Sequence, residues 1–223
     1  MLTYKQLIFI TMTVLLSFSG ELGAQSLPYL SFSPDSSSLL AGREVFECQS
    51  DTNRYLIQKF NIEGVQKCLG KSKSEGFNML IITVLNSTND VNIYGDKALT
   101  NGNLTMPYIT NGNDFRDHIQ YDYWDNVEWV VDELARQKMY VALYPVAPTI
   151  VTDKKMTRAE ARVYMNLLCR KLASKSNVVW LIDSRNSPEV WATIAATAHE
   201  NNPRQLVVDM AEKSFLIERK PTN

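Results

Sequence analysis

From Gly42 onward, short apolar segments alternate with segments of helical periodicity, and this alternation restricts the folds open to the chain. The clearest strand is "FNMLIITVL", a nearly continuous apolar run of the kind found in strands buried on both faces of a parallel sheet. It follows "NIEGVQKCLGKSKSEG", where Ile62, Val65 and Leu69 recur at helical spacing and Gly76 marks the stop. Strands alternating with helices predict βα units around a parallel sheet.

The remaining segments repeat this pattern. We predict a first strand around Val45 to Cys48 and later strands at "MYVALYPVA", "NVVWLID" and "RQLVVD". Between them lie helices whose inward faces carry Trp124, Val127, Val131 and Leu134, then Ala161, Tyr164, Leu168 and Leu172. The last helix begins at Pro188, with Ser187 as its expected N-cap.

The segment "LPYLSFSPDSSSLLAG" predicts two short strands around a Pro-Asp-Ser turn, placed at the bottom of the sheet. The fold class that follows is α/β. We expect an incomplete, TIM-type (β/α) barrel with about five βα units and an N-terminal β-hairpin.

The first 24 residues have the pattern of a secretory signal peptide, because one Lys precedes an apolar stretch from Leu7 to Phe18 and small residues follow up to Ala24. The apolar stretch is too short for a comfortable membrane span. We therefore expect a secreted or periplasmic protein in which residues 25–223 form one domain.

The composition of the chain argues against several classes of binding partner. A formal net charge of −1 argues against nucleic acid, since phosphate binding needs a basic surface. Cys48, Cys68 and Cys169 form no CxxC pair, and three is an odd number, so at most one disulfide is expected. With His118 and His199 as the only imidazoles, we expect no metal centre and no cofactor.

Several segments resemble the apiosidase-like glycoside hydrolases, secreted (β/α)8-barrel enzymes that act on side chains of plant pectin. The match runs in order through "GREVFECQSDT", Gly76-Phe77-Asn78, Asn92-x-Tyr94-Gly95, residues 127–131 and "NVVWLID". Each motif is weak alone, but the series over residues 28–210 is fairly specific. The resemblance implies a carbohydrate ligand and a site at the carboxyl ends of the strands.

Two departures from the family bear on activity. The family's acid/base residue lies five positions after the Trp of strand four, and that position here is Arg185, whose guanidinium does not release a proton near neutral pH. The family barrel also continues through strands six to eight, one of which brings a second carboxylate. By our strand assignment this chain stops after strand five.

Three carboxylates are candidates for catalysis: Asp183, Asp51 and Asp209, each placed by the strand assignment at the carboxyl end of a strand. Asp183 is also interpretable as an ion-pair partner of Arg185 or as a helix cap, and Asp51 as a loop cap.

Candidates for substrate binding are Thr52, Asn92, Tyr94, Tyr121, Tyr123 and Arg185. Thr52, Asn92 and Tyr94 enter through the resemblance, although Asn92 and Gly95 are also typical of a simple turn. The long polar stretch from 86 to 122 is of a length that is usually functional or disordered.

Two functions remain open. One is a secreted glycoside hydrolase-like protein that uses Asp183 with Asp51 or Asp209 on pectic glycans. The other is a catalytically inactive protein that binds carbohydrate or a partner through the same fold. Because five strands do not close a barrel, we also expect self-association or a partner chain at an open sheet edge.

Overall fold

The computed structural model describes residues 26–117, 119–153 and 155–217. The predicted signal peptide therefore lies outside the described residues, as does His118. The described chain forms a small antiparallel sheet followed by a parallel sheet flanked by helices. No helix among the described residues is long and apolar enough to cross a membrane.

The antiparallel sheet has the strand order β1-β2-β3, with β1 at Leu30–Phe32, β2 at Leu39–Ala41 and β3 at Glu44–Phe46. The predicted hairpin is confirmed as β1 and β2. The predicted first barrel strand at Val45 to Cys48 is wrong, because Glu44–Phe46 pairs back onto β2 and extends the hairpin instead. The first parallel strand begins four residues after Phe46, at Ser50.

The parallel sheet has five strands in sequential order, which confirms the predicted α/β class and the incomplete barrel. Its strands are β4 (Ser50–Thr52), β5 (Met79–Leu85), β6 (Tyr140–Val146), β7 (Val178–Ile182) and β8 (Leu206–Asp209). Every residue of β5 and β6 is buried, as their apolar sequences predict.

Seven helices accompany the strands in the described part of the chain. They are α1 (Leu56–Lys59), α2 (Ile62–Ser74), α3 (Tyr123–Arg136), α4 (Pro148–Asp153), α5 (Arg158–Leu172), α6 (Pro188–Asn201) and α7 (Met210–Ile217). The predicted inward faces of α3 and α5 are confirmed, since the apolar residues named for them are at most 1% exposed. On α2, Val65 and Leu69 are buried as predicted, whereas Ile62 is partly exposed.

Strand register separates two faces of the parallel sheet. Trp180 lies on the outer face, where its Nε1 donates to Gln205 Oε1, and Gln205 Nε2 in turn donates to the carbonyl of Leu172 at the end of α5. Val179 and Asp183, an odd number of positions from Trp180, lie on the opposite, inner face together with Ala142, the cross-strand partner of Val179.

Helix α7 crosses this inner face from one edge of the sheet to the other. It begins directly after β8, and the carbonyl of its last residue, Ile217, accepts hydrogen bonds from Ser50 Oγ and Cys48 Sγ at β4. Leu216 and Ile217 are at most 2% exposed. The end of the helix therefore packs against the inner face of the sheet.

The small antiparallel sheet closes the bottom of the inner face, as predicted. Phe46 packs edge-on against Tyr140, with ring centroids 4.9 Å apart, and Tyr140 Oη donates to the carbonyl of Pro28. Burial raises the pKa of Tyr140 to about 12, so the phenol keeps the proton that it donates. The top of the sheet is the end left accessible.

The polar stretch from 86 to 122 is ordered by bonds to its surroundings. Asp122 caps α3 by accepting from Trp124 N and Asp125 N, and its other oxygen accepts from Thr110 N at 2.8 Å. Trp124 Nε1 donates to the carbonyl of Ala98. The loop therefore lies against α3 and packs a buried Trp beneath it.

The N-cap of α6 and the state of the cysteines can be compared with the sequence predictions. Ser187 occupies the N-cap position of α6, but its backbone is left-handed (φ 56°) and its hydroxyl makes no capping bond. All three cysteines are free thiols, within the sequence expectation of at most one disulfide.

Candidate functional site

The carboxyl ends of the central strands surround a cavity of about 330 Å³ on the inner face, called the mouth here. Helix α7 forms its remaining wall. The mouth is lined by Arg54, Thr83, Asn86, Tyr144, Ala147, Pro148, Asp183, Arg185, Met210 and Ser214. This is the end of a TIM-type barrel where active sites lie.

Asp183 and Arg185 form a bidentate ion pair in the mouth. Arg185 Nε donates to Asp183 Oδ1 at 2.7 Å, and Nη2 donates to Oδ2. The Asp183 side chain is 9% exposed while that of Arg185 is 65% exposed. The carboxylate is thus held at the wall of the cavity, covered by a guanidinium that faces solvent.

This pairing fixes the charge of Asp183. The hydrogen bond from Arg185 lowers the pKa of the carboxyl below its ordinary value, outweighing the effect of burial, which acts in the opposite direction. An ionised carboxylate suits a nucleophile or base, whereas a general acid must hold a proton. The Asp183–Arg185 ion pair, one of the two interpretations from sequence, is the one the structure contains.

Asp51 does not face the mouth, so its sequence-based placement there is wrong. It lies in the middle of β4 opposite Leu80 and points to the outer face, where Oδ2 accepts from Ser72 Oγ of α2 at 2.7 Å. Thr52, the next residue, shares the inner face with Ser50 and is exposed, but it is not among the residues that line the mouth.

Asp209 ends β8 as predicted, yet its carboxylate serves the backbone. Oδ1 accepts from Ser184 N at 3.2 Å and from Ala211 N at 2.9 Å, so it ties the end of β7 to the start of α7. Asp209 is also absent from the lining of the mouth. Of the three candidate carboxylates, the structure brings only Asp183 to the cavity.

Two of the predicted binding residues, Asn92 and Tyr123, use their side chains to hydrogen-bond the protein's own backbone. Asn92 is 3% exposed, and its amide oxygen accepts from Tyr94 N and Asp96 N, which is the turn-forming alternative. Tyr123 is fully buried with its hydroxyl donating to the carbonyl of Val84, so its prediction as a sugar-facing side chain is wrong.

Tyr121 is only 6% exposed, and burial raises the pKa of its hydroxyl. Tyr94 is 48% exposed; it packs edge-on against Tyr121, and its Oη accepts from Ile62 N at the start of α2. Neither ring lines the mouth.

The sequence did not single out five polar residues that line the mouth: Arg54, Thr83, Asn86, Tyr144 and Ser214. Thr83 carried a usable signal, because it is the one polar residue in the apolar run "MLIITVL". Arg54 directly follows the Asp-Thr-Asn segment, and its position at a strand end was available from the pattern. Ser214 carried none, since the helix that contains it was not predicted.

The fold and the mouth together define a partial (β/α) barrel with a polar cavity at the carboxyl ends of its strands. A family model described as "Apiosidase-like, catalytic domain" matches residues 40–215. The chain therefore belongs to the apiosidase-like family. Among curated proteins there is no match.

Solved structures agree on the fold. A glycoside hydrolase family 5 protein from Bacteroides vulgatus superposes with a TM-score of 0.70 at 25% identity, over 80% of this chain and 38% of its own. A second glycoside hydrolase gives 0.70 at 19% identity, over 81% and 40%. An endo-1,4-beta-mannanase from Rhizomucor miehei gives 0.54 at 12% identity, over 81% and 60%. The chain thus spans about two fifths of the first two structures.

Proposed function

We propose that this 223-residue chain binds a pectic carbohydrate in the mouth and does not hydrolyse it. The observation that carries the proposal is the bidentate Asp183–Arg185 pair. Asp183 is the one carboxylate among the described residues that line the cavity, and its pKa is lowered by Arg185.

Hydrolysis of a glycosidic bond uses two carboxyl groups, one of which must protonate the leaving oxygen. Asp183 is ionised and both of its oxygens accept from Arg185. Asp51 and Asp209 are bonded elsewhere, to Ser72 and to backbone N–H groups. The described mouth thus offers an ionised carboxylate without an acid partner.

The lining supports sugar binding. Thr83, Asn86, Tyr144 and Ser214 bring hydroxyl and amide groups to one cavity, and Ala147, Pro148 and Met210 add apolar surface. A volume of about 330 Å³ lies at the small end of the ~300–1,000 Å³ range of ligand pockets, which suits a short terminal part of a glycan. The pectic choice rests on the family resemblance.

A second candidate is hydrolysis with Asp183 as nucleophile or base. Family membership and the position of Asp183 at the end of β7 favour it. The two candidates differ in one measurable property, turnover.

The test measures binding and hydrolysis on the same protein. The chain from residue 25 is applied to an array of pectic oligosaccharides, and each bound oligosaccharide is then incubated with it and analysed for released sugar. We expect binding without turnover. Asp183→Asn is compared with Asp132→Asn, which alters a carboxylate of α3 that pairs with Lys175 and does not line the mouth. Both variants are checked for folding by circular dichroism.

Hydrolysis by the wild-type chain that is lost in Asp183→Asn and kept in Asp132→Asn would establish the second candidate. Absence of binding to every pectic oligosaccharide would overturn the first.

We also propose that the protein is exported, on the basis of the charge and apolar pattern of residues 1–24. N-terminal sequencing of the protein from its source should then begin near Gln25. Recovery of intact Met1 from a soluble intracellular fraction would contradict export.

A further inference from the structure

The charges around the mouth do not cancel. Among the described lining residues, Arg54 and Arg185 carry two positive charges and Asp183 carries one negative charge, which leaves one positive charge. Arg185 is already bound by Asp183 through two nitrogens. The unmatched charge therefore belongs to Arg54.

Arg54 is held in place by its backbone. The N–H of the preceding residue, Asn53, donates to the carbonyl of Ile81 in β5, and the carbonyl of Arg54 accepts from Asn86 Nδ2 at 2.8 Å. Asn86 is itself fixed, because its N–H donates to Asp90 Oδ2. The start of the Arg54 side chain is thus fixed relative to the central strand of the mouth.

The guanidinium of Arg54 has no acidic partner within ion-pair distance among the described residues, and the residue is exposed. A planar guanidinium of this kind pairs with a carboxylate through two parallel N–H···O bonds. The neighbouring lining groups, Thr83, Asn86 and Tyr144, are neutral and suit sugar hydroxyls.

We propose that the mouth selects a glycan bearing a carboxylate, a uronate, and that Arg54 binds that carboxylate. This inference rests on the proposed carbohydrate binding at the same cavity. Asp183–Arg185 then serves as a neutral, hydrogen-bonding wall, and Arg54 sets the preference for an anionic sugar.

The test uses a galacturonate trisaccharide and its fully methyl-esterified form, which has the same rings but no negative charge. We expect the wild-type chain to bind the acid form about tenfold more tightly at low salt, because a charge-assisted pair is worth about one such factor in affinity. The preference should shrink as NaCl rises, since salt screens an exposed guanidinium.

Arg54→Gln should bring the two affinities together, because it removes the charge that distinguishes the acid form from the ester. Arg170→Gln removes the same charge from the exposed surface of α5, away from the mouth, and should keep the preference. Arg54→Lys keeps the charge without the planar fork and should retain part of the preference.

The outcomes separate the two proposals. Equal binding of acid and ester forms by the wild-type chain would overturn the role of Arg54 and leave carbohydrate binding intact. Binding of neither form would remove support from both. Displacement of the trisaccharide by acetate at the same carboxylate concentration would assign Arg54 to a bare anion and overturn uronate selection.

Discussion

At the scale of single residues, the charge of the mouth depends on whether each of its two arginines pairs with a carboxylate. Arg185 donates to both oxygens of the neighbouring Asp183. Arg54 lies two residues past β4 and forms no ion pair with any of the described carboxylates. One strand end is thereby charge-neutral and the other cationic.

The Asp183–Arg185 pair has a testable dependence on pH. Since Arg185 lowers the pKa of Asp183 in the folded chain below the unfolded value of 3.8, its stabilisation is fully present above that value. It is lost as pH falls through the folded pKa. Arg185→Gln should therefore lower the free energy of unfolding by about 1 kcal/mol at neutral pH, a value reduced from a buried pair's because Arg185 is exposed.

Urea unfolding at several pH values measures this difference, which should vanish in acid. Arg162→Gln is the matched control, because Arg162 pairs with Glu200 where both side chains are half-exposed. Its effect should be near zero at all pH values. If the free energy of unfolding of Arg185→Gln differed from that of wild type by the same amount from neutral to acid pH, the ion pair with Asp183 would not be its cause.

The limits of sequence interpretation also show at this scale. Period-two alternation places Asp183 correctly on the inner face, because β7 is regular and buried. The same rule requires the correct strand bounds, and these were wrong for the first parallel strand. We predicted that strand in the region of β3, so Asp51 was taken to follow its end. Asp51 is instead the middle residue of β4 and points outward. The partner of Tyr123 is the carbonyl of Val84, which is distant in the chain, so no local pattern records it. The turn at Asn92 is local, and the sequence already offered it as an alternative.

At the scale of elements, the cap of α3 does more than begin a helix. Asp122 is 1% exposed and accepts from two N–H groups of α3 and from Thr110 N in the long loop. The loop is therefore attached to the first turn of the helix through one carboxylate.

Asp122→Ala should cost about 2 kcal/mol of stability, the upper end for a lost cap, because three N–H donors lose their acceptor. The residues near Thr110 should also become cleavable by protease. Thr157→Ala removes the cap of α5, an exposed side chain that hydrogen-bonds to Glu160 of the same helix. It should cost about 1 kcal/mol without altering the long loop. Identical proteolysis of the two variants would argue against the attachment.

Helix α7 is the element that sequence did not foresee. Its segment of eight residues is too short for a helical period to stand out in the sequence. Its place on the inner face becomes apparent only from the hydrogen bond between the Ile217 carbonyl and Ser50 of β4. The helix occupies the space between the two edges of the sheet.

Ile217→Ala should destabilise the protein by about 2–4 kcal/mol, because the side chain is fully buried beneath the sheet. Glu212→Ala on the exposed side of the same helix should change stability by less than about 0.5 kcal/mol. Thermal unfolding of both variants gives the comparison. A small effect of Ile217→Ala would mean that α7 leaves the inner face in solution.

At the scale of the whole molecule, the described sheet has two outer strands, β4 and β8, each paired on one side only. Beside β8 lies a groove of about 770 Å³ between the parallel sheet, α6 and β1, with Phe32, Leu206 and Val207 among its lining residues. Strand edges beside apolar grooves are sites where further chains pair.

We therefore expect self-association or a partner chain at this edge. Sedimentation at micromolar concentration should show a species larger than the monomer, and Leu206→Lys should shift it toward the monomer because a charge at an edge opposes pairing. Val163→Lys, on the exposed face of α5, should have no effect. A protease-resistant monomer at these concentrations would contradict the expectation.

The strands of the parallel sheet differ in length, and this difference predicts the order in which they unfold locally. β5 and β6 each contribute seven consecutive buried residues, whereas β4 has three residues and ends the sheet. Amide hydrogens of β5 and β6 should then exchange with solvent last, and those of β4 among the first, since edge segments open without global unfolding. Arg54 is carried by the chain that leaves β4. Mild denaturant should accordingly abolish recognition of an acidic sugar while the centre of the sheet is still closed.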